Sequence, residues 1–293
     1  MPKLLVGADV GGTKTAVAVA EDGRLLASVV GRGAALKPGR ALLAASLVAE
    51  VVRQALAEAG RSVADVLVVG AAGAGRAADR DELYAALRAE RLAERVVVTT
   101  DVEIALAAAF GDGPGIVVTA GTGSIAIGRT ADGGLRRVGG YGWQMGDEGS
   151  GYAIGRAALQ AVSRAHDGRG PDTRLSDRLF APARVGDFDG LVRWAASASP
   201  SEVAALAPAV LEAATEDPVA RRIAGDAAAE LALLARSLLA HFGPSPAVPL
   251  ALGGSLLAPG RPLRRLVEEA LRDEPRLQPL AGEVRPVDGA LRL

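Results

Sequence analysis

Asp9, Gly11, Gly12, Thr13 and Lys14 stand between an apolar run at Leu4, Leu5 and Val6 and an alternating run from Thr15 to Ala20. The alternation places Val17 and Val19 on one strand face, so the glycines form a strand-to-strand turn. Two glycines there let backbone N–H groups approach a phosphate closely, because no Cβ holds the ligand away. Thr13 adds a hydroxyl donor and Lys14 a cation. Asp9, at the end of the incoming strand, is placed to hold the waters of a phosphate-bound Mg²⁺, an ion usually bound through few carboxylates. An ordinary hairpin with a glycine turn and an unrelated acid accounts for this segment equally well. It is not a P-loop, because G-x-x-x-x-G-K-[ST] is absent and no helix follows the glycines.

The same pattern recurs about 110 residues later. Gly115 to Thr119 reads as an apolar strand, Ala120 to Ser124 (AGTGS) as a small-residue turn, and Ile125 to Gly128 as the returning strand. This repeat predicts a structural duplication. Two such domains facing one another would put both glycine turns on one cleft and hold a phosphate chain from two sides. The stretch Gly139 to Gly151 is too rich in glycine for a strand or helix interior. It is predicted to be an ordered loop carrying Tyr141, Trp143, Asp147 and Glu148. Adjacent side chains in such a backbone point apart, which gives the two acids different work. Packing under the loop is an equally open role for Tyr141 and Trp143.

The elements that must carry these residues follow from periodicity and punctuation. Strands are predicted at Leu25 to Val30, Val66 to Val69, Val96 to Thr100 and Val248 to Leu252. Helices are predicted over Arg40 to Ala59, from a cap at Asp79 through Arg91, over Val102 to Phe110 and over Tyr152 to Ala165. Arg174 to Phe242 reads as nearly all helical, broken at Pro182, Ser199-Pro200 and Asp217-Pro218, with a long apolar-striped helix at Ala220 to Leu239. Leu263 to Arg272 follows as a helix, and Val284 to Leu293 as a short strand and a final helix start. Gly111 to Gly115 (GDGPG) is the candidate hinge, giving domains at 1–112 and 113–293, the first completed by the C-terminal tail.

Composition narrows the function classes. A net charge of −1 gives no electrostatic footprint for nucleic acid. No apolar run reaches the roughly 18 residues of a membrane span, and no signal-peptide order opens the chain, so no membrane is expected and the cytoplasm is. The absence of cysteine removes disulfides, thiol nucleophiles and cysteine-ligated clusters. His166 and His241 are far apart, each in a helical pattern, and are read as core or surface residues.

Taken in order, D-x-G-G-T-K at Asp9 to Lys14, Asp101, G-T-G-S at Gly121 to Ser124, the loop G-G-Y-G-W-Q-M-G-D-E-G-S-G-Y-A-I-G at Gly139 to Gly155 and the late G-G-S at Gly253 to Ser255 carry a resemblance. The chain resembles the N-acetylglucosamine kinase family within the BadF/BadG/BcrA/BcrD ATPase group of the sugar kinase, Hsp70 and actin superfamily. The resemblance extends over nearly the whole chain, and the long glycine loop is its most specific part. It implies an α/β fold of two ribonuclease H-like domains flanking an ATP and sugar cleft. It also implies a homodimer, and transfer of the γ-phosphate of ATP to the 6-hydroxyl of an amino sugar or hexose.

By the same resemblance, Gly11, Gly12 and Thr13 with Gly121, Thr122 and Gly123 would cradle the ATP phosphates, with Lys14 and Ser124 beside them. Asp9 would contact Mg²⁺ through water. Gly253, Gly254 and Ser255 would lie against adenosine, and Gly140, Tyr141, Gly142 and Asp147 against the sugar. Asp101 matches the family's catalytic base and would also touch the sugar. A sugar hydroxyl has a pKa far above 7, so a carboxylate is needed to orient it and take its proton. Capping the following helix is the competing role for Asp101, and Glu148 is expected to cap the Tyr152 helix or to bond within the loop. Where the family has a sugar-contacting asparagine, near position 35, this chain has Ala35. Two other functions remain on the table. A dehydratase activator of the same group needs a cysteine-bound cluster that this chain cannot ligate, and a nucleotide-binding sugar sensor would bind without turnover. Paired-carboxylate glycoside hydrolysis gives no use for two phosphate-type turns.

Overall fold

The computed structural model describes residues 3–244 and 247–293. The chain packs as two compact units, one ending at Gly113 and taking in Val284–Leu293, the other spanning Pro114–Glu283. The first unit runs β1 (Leu4–Val10), β2 (Lys14–Glu21), β3 (Arg24–Arg32), α1 (Ala41–Glu58), β4 (Ala64–Ala71), α2 (Ala77–Ala89), β5 (Ala93–Thr100) and α3 (Asp101–Phe110). In the second come β6 (Gly115–Ala120), β7 (Ser124–Arg129), β8 (Leu135–Gly139), α4 (Gly151–His166), α5 (Leu175–Arg178), α6 (Phe180–Ala183) and α7 (Phe188–Ala195). It continues with α8 (Pro200–Ala204), α9 (Ala207–Ala213), α10 (Pro218–Leu239), β9 (Val248–Gly253), α11 (Pro262–Ala270) and β10 (Leu277–Pro279). Helix α12 (Pro286–Ala290) then returns to the first unit. Among the described residues, no helix is long and apolar enough to cross a membrane.

The first sheet has the order β3-β2-β1-β4-β5, with β1 to β3 an antiparallel meander and β4 and β5 parallel to β1. Strand β4 is buried along nearly its whole length, as a parallel strand is when both sheet faces are covered. One face packs on α1 and α2 through Val48, Val52, Leu83 and Leu87. The other meets Ile104 of α3 and Ala290 of α12 through Val66 and Val68. Register aligns Asp9 with Gly70 and Gly70 with Thr99. The carboxyl ends of three parallel strands thus share one edge, where open α/β sheets bind ligands.

The second sheet repeats the plan with the order β10-β9-β6-β7-β8, in which β6 to β8 are antiparallel and β9 and β10 lie parallel to β6. Thr119 of β6 pairs with Gly253 of β9, so the second glycine turn and the Gly253–Ser255 turn leave the same edge. The long helix α10 packs across this sheet with Leu231, Ala235 and Leu238 in the core. Its cap is Asp217, whose carboxylate accepts from the N–H groups of Val219 and Ala220.

Three local expectations give way to capping physics. Pro182 lies inside α6, and the break comes after it, where Arg184 takes a left-handed φ of 57° and Asp187 caps α7. The segment from Val284 onward holds α12 and no strand. Pro286 occupies the first turn of α12, where a missing N–H costs nothing, and the late strand is β10. Asp79 sits in the first turn of α2, while Arg76 occupies the cap position.

Thr15 of β2 is fully buried, and its hydroxyl is the one buried side-chain polar atom without a hydrogen-bond partner among the described residues. Replacing a buried unsatisfied hydroxyl by a methyl of similar shape removes its desolvation penalty. Thr15→Val should therefore stabilise the protein by about 1 kcal/mol, read as a higher urea midpoint at unchanged slope. A lower midpoint would show that the hydroxyl is satisfied in solution.

Candidate active site

In the first unit the turn between β1 and β2 is closed by Gly11 N–H donating to Lys14 C=O at 3.0 Å. It is braced from the stretch after β3. The N–H groups of Ala34 and Ala35 both reach Gly11 C=O at 3.1 Å, and Gly33 N–H reaches Thr13 C=O at 3.1 Å. A Cβ on Gly33 would stand 2.1 Å from the Gly12 carbonyl oxygen, so only glycine permits that approach. The loop after β4 backs the brace, with Leu36 N–H on Ala72 C=O and Ala72 N–H on Val10 C=O. Gly12, Thr13 and Lys14 are exposed, and a Cβ on Gly12 would meet no protein atom within 4 Å. Ala35 brings a methyl group here, its N–H being taken by Gly11 C=O.

Asp101 is the first residue of α3 and not its cap. Thr100 caps the helix, accepting from Glu103 N–H at 3.2 Å, while the Glu103 carboxylate takes Thr100 N–H at 3.0 Å and the hydroxyls of Thr99 and Thr100. This capping box relieves Asp101 of the cap role. Burial raises the Asp101 pKa, partly offset by the Val102 N–H, and the nearby Glu103 adds to the rise. Glu103 goes the other way. Burial would lift it, but the two threonine hydroxyls and the Thr100 N–H hold its pKa below the ordinary value, helped by Arg80. Asp9 is pushed up to about 6 by burial first and by the charge of Asp101 second, with Lys14 pulling it back.

In the second unit the turn Gly121–Ser124 is closed by Gly121 N–H on Gly123 C=O at 2.9 Å. The glycine loop and the start of α4 brace it, with Gly151 N–H on Gly121 C=O at 2.8 Å and Tyr152 N–H on Thr122 C=O at 3.2 Å. Ser124 is buried, its hydroxyl donating to Glu148 C=O at 2.6 Å, which directs this expected phosphate contact inward. Asp147 adopts a left-handed φ of 63° and presents its carboxylate to the turn. There it accepts from Ser124 N–H, and a Cβ on Gly123 would lie 2.8 Å from it. Burial raises its pKa, and the N–H groups of Ser124 and Gly142 oppose the rise. Ser150, not Glu148, caps α4 by accepting from Ala153 N–H.

Gly140 cannot carry a side chain, because a Cβ would enter Ile125 at 2.6 Å. Tyr141 is exposed beneath the Arg137 guanidinium, 4.8 Å from the ring centre, while Trp143 leans on Tyr152 at 5.4 Å. The Gly253–Ser255 turn folds onto β6. Leu256 N–H donates to Ala120 C=O, and a Cβ on Gly254, whose φ is 84°, would stand 2.3 Å from the same oxygen. Ser255 Oγ lies 3.7 Å from where a Gly121 Cβ would be.

One edge of the first unit therefore gathers Asp9, Gly11, Gly12, Thr13, Lys14 and Asp101. The second gathers Gly121, Thr122, Gly123, Asp147 and Gly253–Ser255, with Gly140, Tyr141 and Gly142 in the adjoining loop. No group of three or more His, Cys, Asp or Glu side chains among the described residues could hold a metal alone. Mg²⁺ keeps several waters and takes phosphate oxygens with one or two carboxylates, a demand that the single carboxylate of Asp9 beside the turn could meet. A cation beside Asp9 would also relieve the penalty that raises its pKa. The brace at Gly33 and the Thr100–Glu103 capping box were not singled out from the sequence. T-x-x-E before an apolar helix was the available signal for the last. Nothing local marks Gly33.

Asp9 carries a testable cost. Its folded-state pKa lies above the ordinary 3.8, so between about pH 4 and 6 the folded chain holds the proton more tightly than the unfolded chain. Stability accordingly falls as pH rises through that window, and the full penalty stands above it. Asp9→Asn should stabilise the nucleotide-free protein at pH 7.5 by on the order of 1–3 kcal/mol. It should gain little at pH 4, as urea titrations at the two pH values would read. An equal gain at both would reject the electrostatic account.

Known proteins resemble this chain in sequence and in fold. The N-acetylmuramic acid/N-acetylglucosamine kinase of Clostridium acetobutylicum is 30% identical over 243 residues, covering 81% of this chain and 79% of its own. The solved structure of a Chromobacterium violaceum protein provisionally designated an N-acetylglucosamine kinase superposes with a TM-score of 0.83 at 31% identity, over 99% of this chain and 98% of that one. A ROK hexokinase from Thermus thermophilus, at 22% identity and a TM-score of 0.58 over 98% and 97% of the two chains, shares the fold. The two five-stranded sheets are thus those of the two-domain sugar kinases. Residues 6–293 match the BadF/BadG/BcrA/BcrD ATPase family, and the chain belongs to it.

Proposed function

We propose that the chain is an ATP-dependent amino-sugar kinase that transfers the γ-phosphoryl group to a sugar 6-hydroxyl. The observation that carries the reading is Asp101, a carboxylate at the carboxyl edge of a parallel sheet, relieved of capping by Thr100 and raised in pKa by burial. Such a group suits proton abstraction from an alcohol better than an ordinary exposed aspartate does, because general-base efficiency rises with basicity. The names of the relatives agree with this class of substrate.

Backbone N–H groups of Gly12 and Thr13 bind phosphate oxygens from the first unit, with Gly11 closing the turn through its own N–H and Lys14 supplying charge. Those of Thr122 and Gly123 do so from the second, where Gly121 N–H closes the turn. Gly253, Gly254 and Ser255 take adenosine, and Gly140, Tyr141, Gly142 and Asp147 take the sugar. Mg²⁺ held through water by Asp9 would neutralise charge on the phosphates. Asp101 orients the 6-hydroxyl. As its oxygen bonds to the γ-phosphorus and the bond to the bridging oxygen breaks, the hydroxyl proton passes to the carboxylate and ADP leaves. The need for ATP supports a cytoplasmic reaction, and the family resemblance supports a homodimer, to be checked by sedimentation.

A coupled ADP-release assay across glucose, glucosamine, N-acetylglucosamine and N-acetylmuramic acid tests the reading, with release expected for at least one amino sugar. ADP release that no sugar stimulates would overturn it. Asp101→Asn should lower kcat by about 10²–10⁴-fold while leaving ATP affinity near that of the parent. The parent's kcat should fall toward acid through a pKa above the ordinary aspartate range, and the residual rate of the variant should lack that limb.

A further inference from the structure

We propose that Arg264 is a positioning residue for the nucleotide, holding the Gly253–Ser255 turn at a fixed spacing from the second phosphate turn. The inference rests on the kinase reading above. Arg264 projects from the first turn of α11 and is the one buried arginine among the described residues, at 4% exposure. A buried guanidinium is tolerated only when its donors are matched. Here its Nε pairs with Glu268 at 2.8 Å, Nη1 donates to Leu257 C=O at 3.2 Å and Gly282 C=O at 3.4 Å, and Nη2 donates to Leu280 C=O at 2.5 Å. Three of the four acceptors are main-chain carbonyls from two separate segments. The planar fork therefore fixes backbone to backbone, which a lysine's single ammonium cannot reproduce.

One of those segments is the end of the adenosine turn. Leu257 N–H donates to Gly254 C=O at 3.2 Å, closing the turn on itself. The turn is then held from two sides: Ala120, the residue before the Gly121–Ser124 turn, takes Leu256 N–H, and Arg264 takes Leu257 C=O. A nucleotide spanning both turns needs their separation constant. Without the guanidinium, Leu257 would lose its only side-chain anchor among the described bonds, and the turn would be free to lift off Ala120.

The test compares Arg264→Met, Arg264→Lys and Glu268→Gln with Arg236→Lys, a control in the same unit whose guanidinium anchors Ala270 C=O and Asp273 away from the turn. Arg264→Met should raise KM for ATP at least tenfold, with KM for the sugar and kcat within about threefold of the parent. Arg264→Lys should fall between, Glu268→Gln should raise KM for ATP about threefold, and Arg236→Lys should lower Tm without moving KM for ATP. Should Arg264→Met fail to fold, the lysine and glutamine variants decide by the same measurements. Parental KM for ATP in both, or sugar KM and kcat moving together with it, overturns the proposal. Calorimetric ATP binding is measured alongside: if the parent binds ATP but phosphorylates no sugar, the kinase reading fails. Weakened ATP binding in Arg264→Met would still support the positioning role.

Discussion

The structure depends on main chain meeting main chain at distances that leave no room for a β-carbon. Gly33 lies against the Gly12 carbonyl, Gly254 against the Ala120 carbonyl and Gly151 against the Gly121 carbonyl. Each approach fixes a ligand-type turn from behind. These loops are held by close backbone approaches together with hydrogen bonds from neighbouring backbone. Both units use the device although their bracing segments differ. In the first the brace follows the third strand of the meander; in the second it is the glycine loop that leads into α4.

Charge placement follows from the same economy of side chains. With Thr100 capping α3 and Ser150 capping α4, neither Asp101 nor Glu148 is needed to satisfy helix-end N–H groups. Asp101 and Asp9 are left as half-buried carboxylates raised in pKa by burial, Asp9 also by the charge of Asp101, a state unfavourable in isolation and sensible where a cation and a phosphate chain are expected. Asp147 differs in kind. Its carboxylate is tied to the N–H groups of Ser124 and Gly142, so it couples the glycine loop to the second turn.

Much of this was legible in residue order. The repeat of strand, glycine turn and strand at Leu4–Ala20 and Gly115–Gly128 foretold two sheets of like topology, because meander hydrogen bonding is local. The glycine loop was readable from composition alone. Less legible were features set by tertiary distance. Gly33 looked like one more loop glycine, since its role depends on Gly12, which is remote in sequence. The caps at Thr100, Ser150 and Arg76 were displaced from the acids nominated at Asp101, Glu148 and Asp79. Several capable residues stood at each helix start, and backbone geometry chose between them. Strand β10 went unforeseen because three residues carry no period.

Helix α12 has a consequence for biosynthesis. It is laid across β1 and α3 of the first unit, with Gly289 against the Ile104 carbonyl and Arg292 donating to the carbonyls of Ala107 and Ala108, up to 185 positions back in the chain. On the ribosome, β1 to α3 emerge long before these partners, leaving the Val66–Val68 face of the sheet without part of its cover until α12 has been made. The nascent first half therefore waits, incompletely closed, while the whole second unit is synthesised.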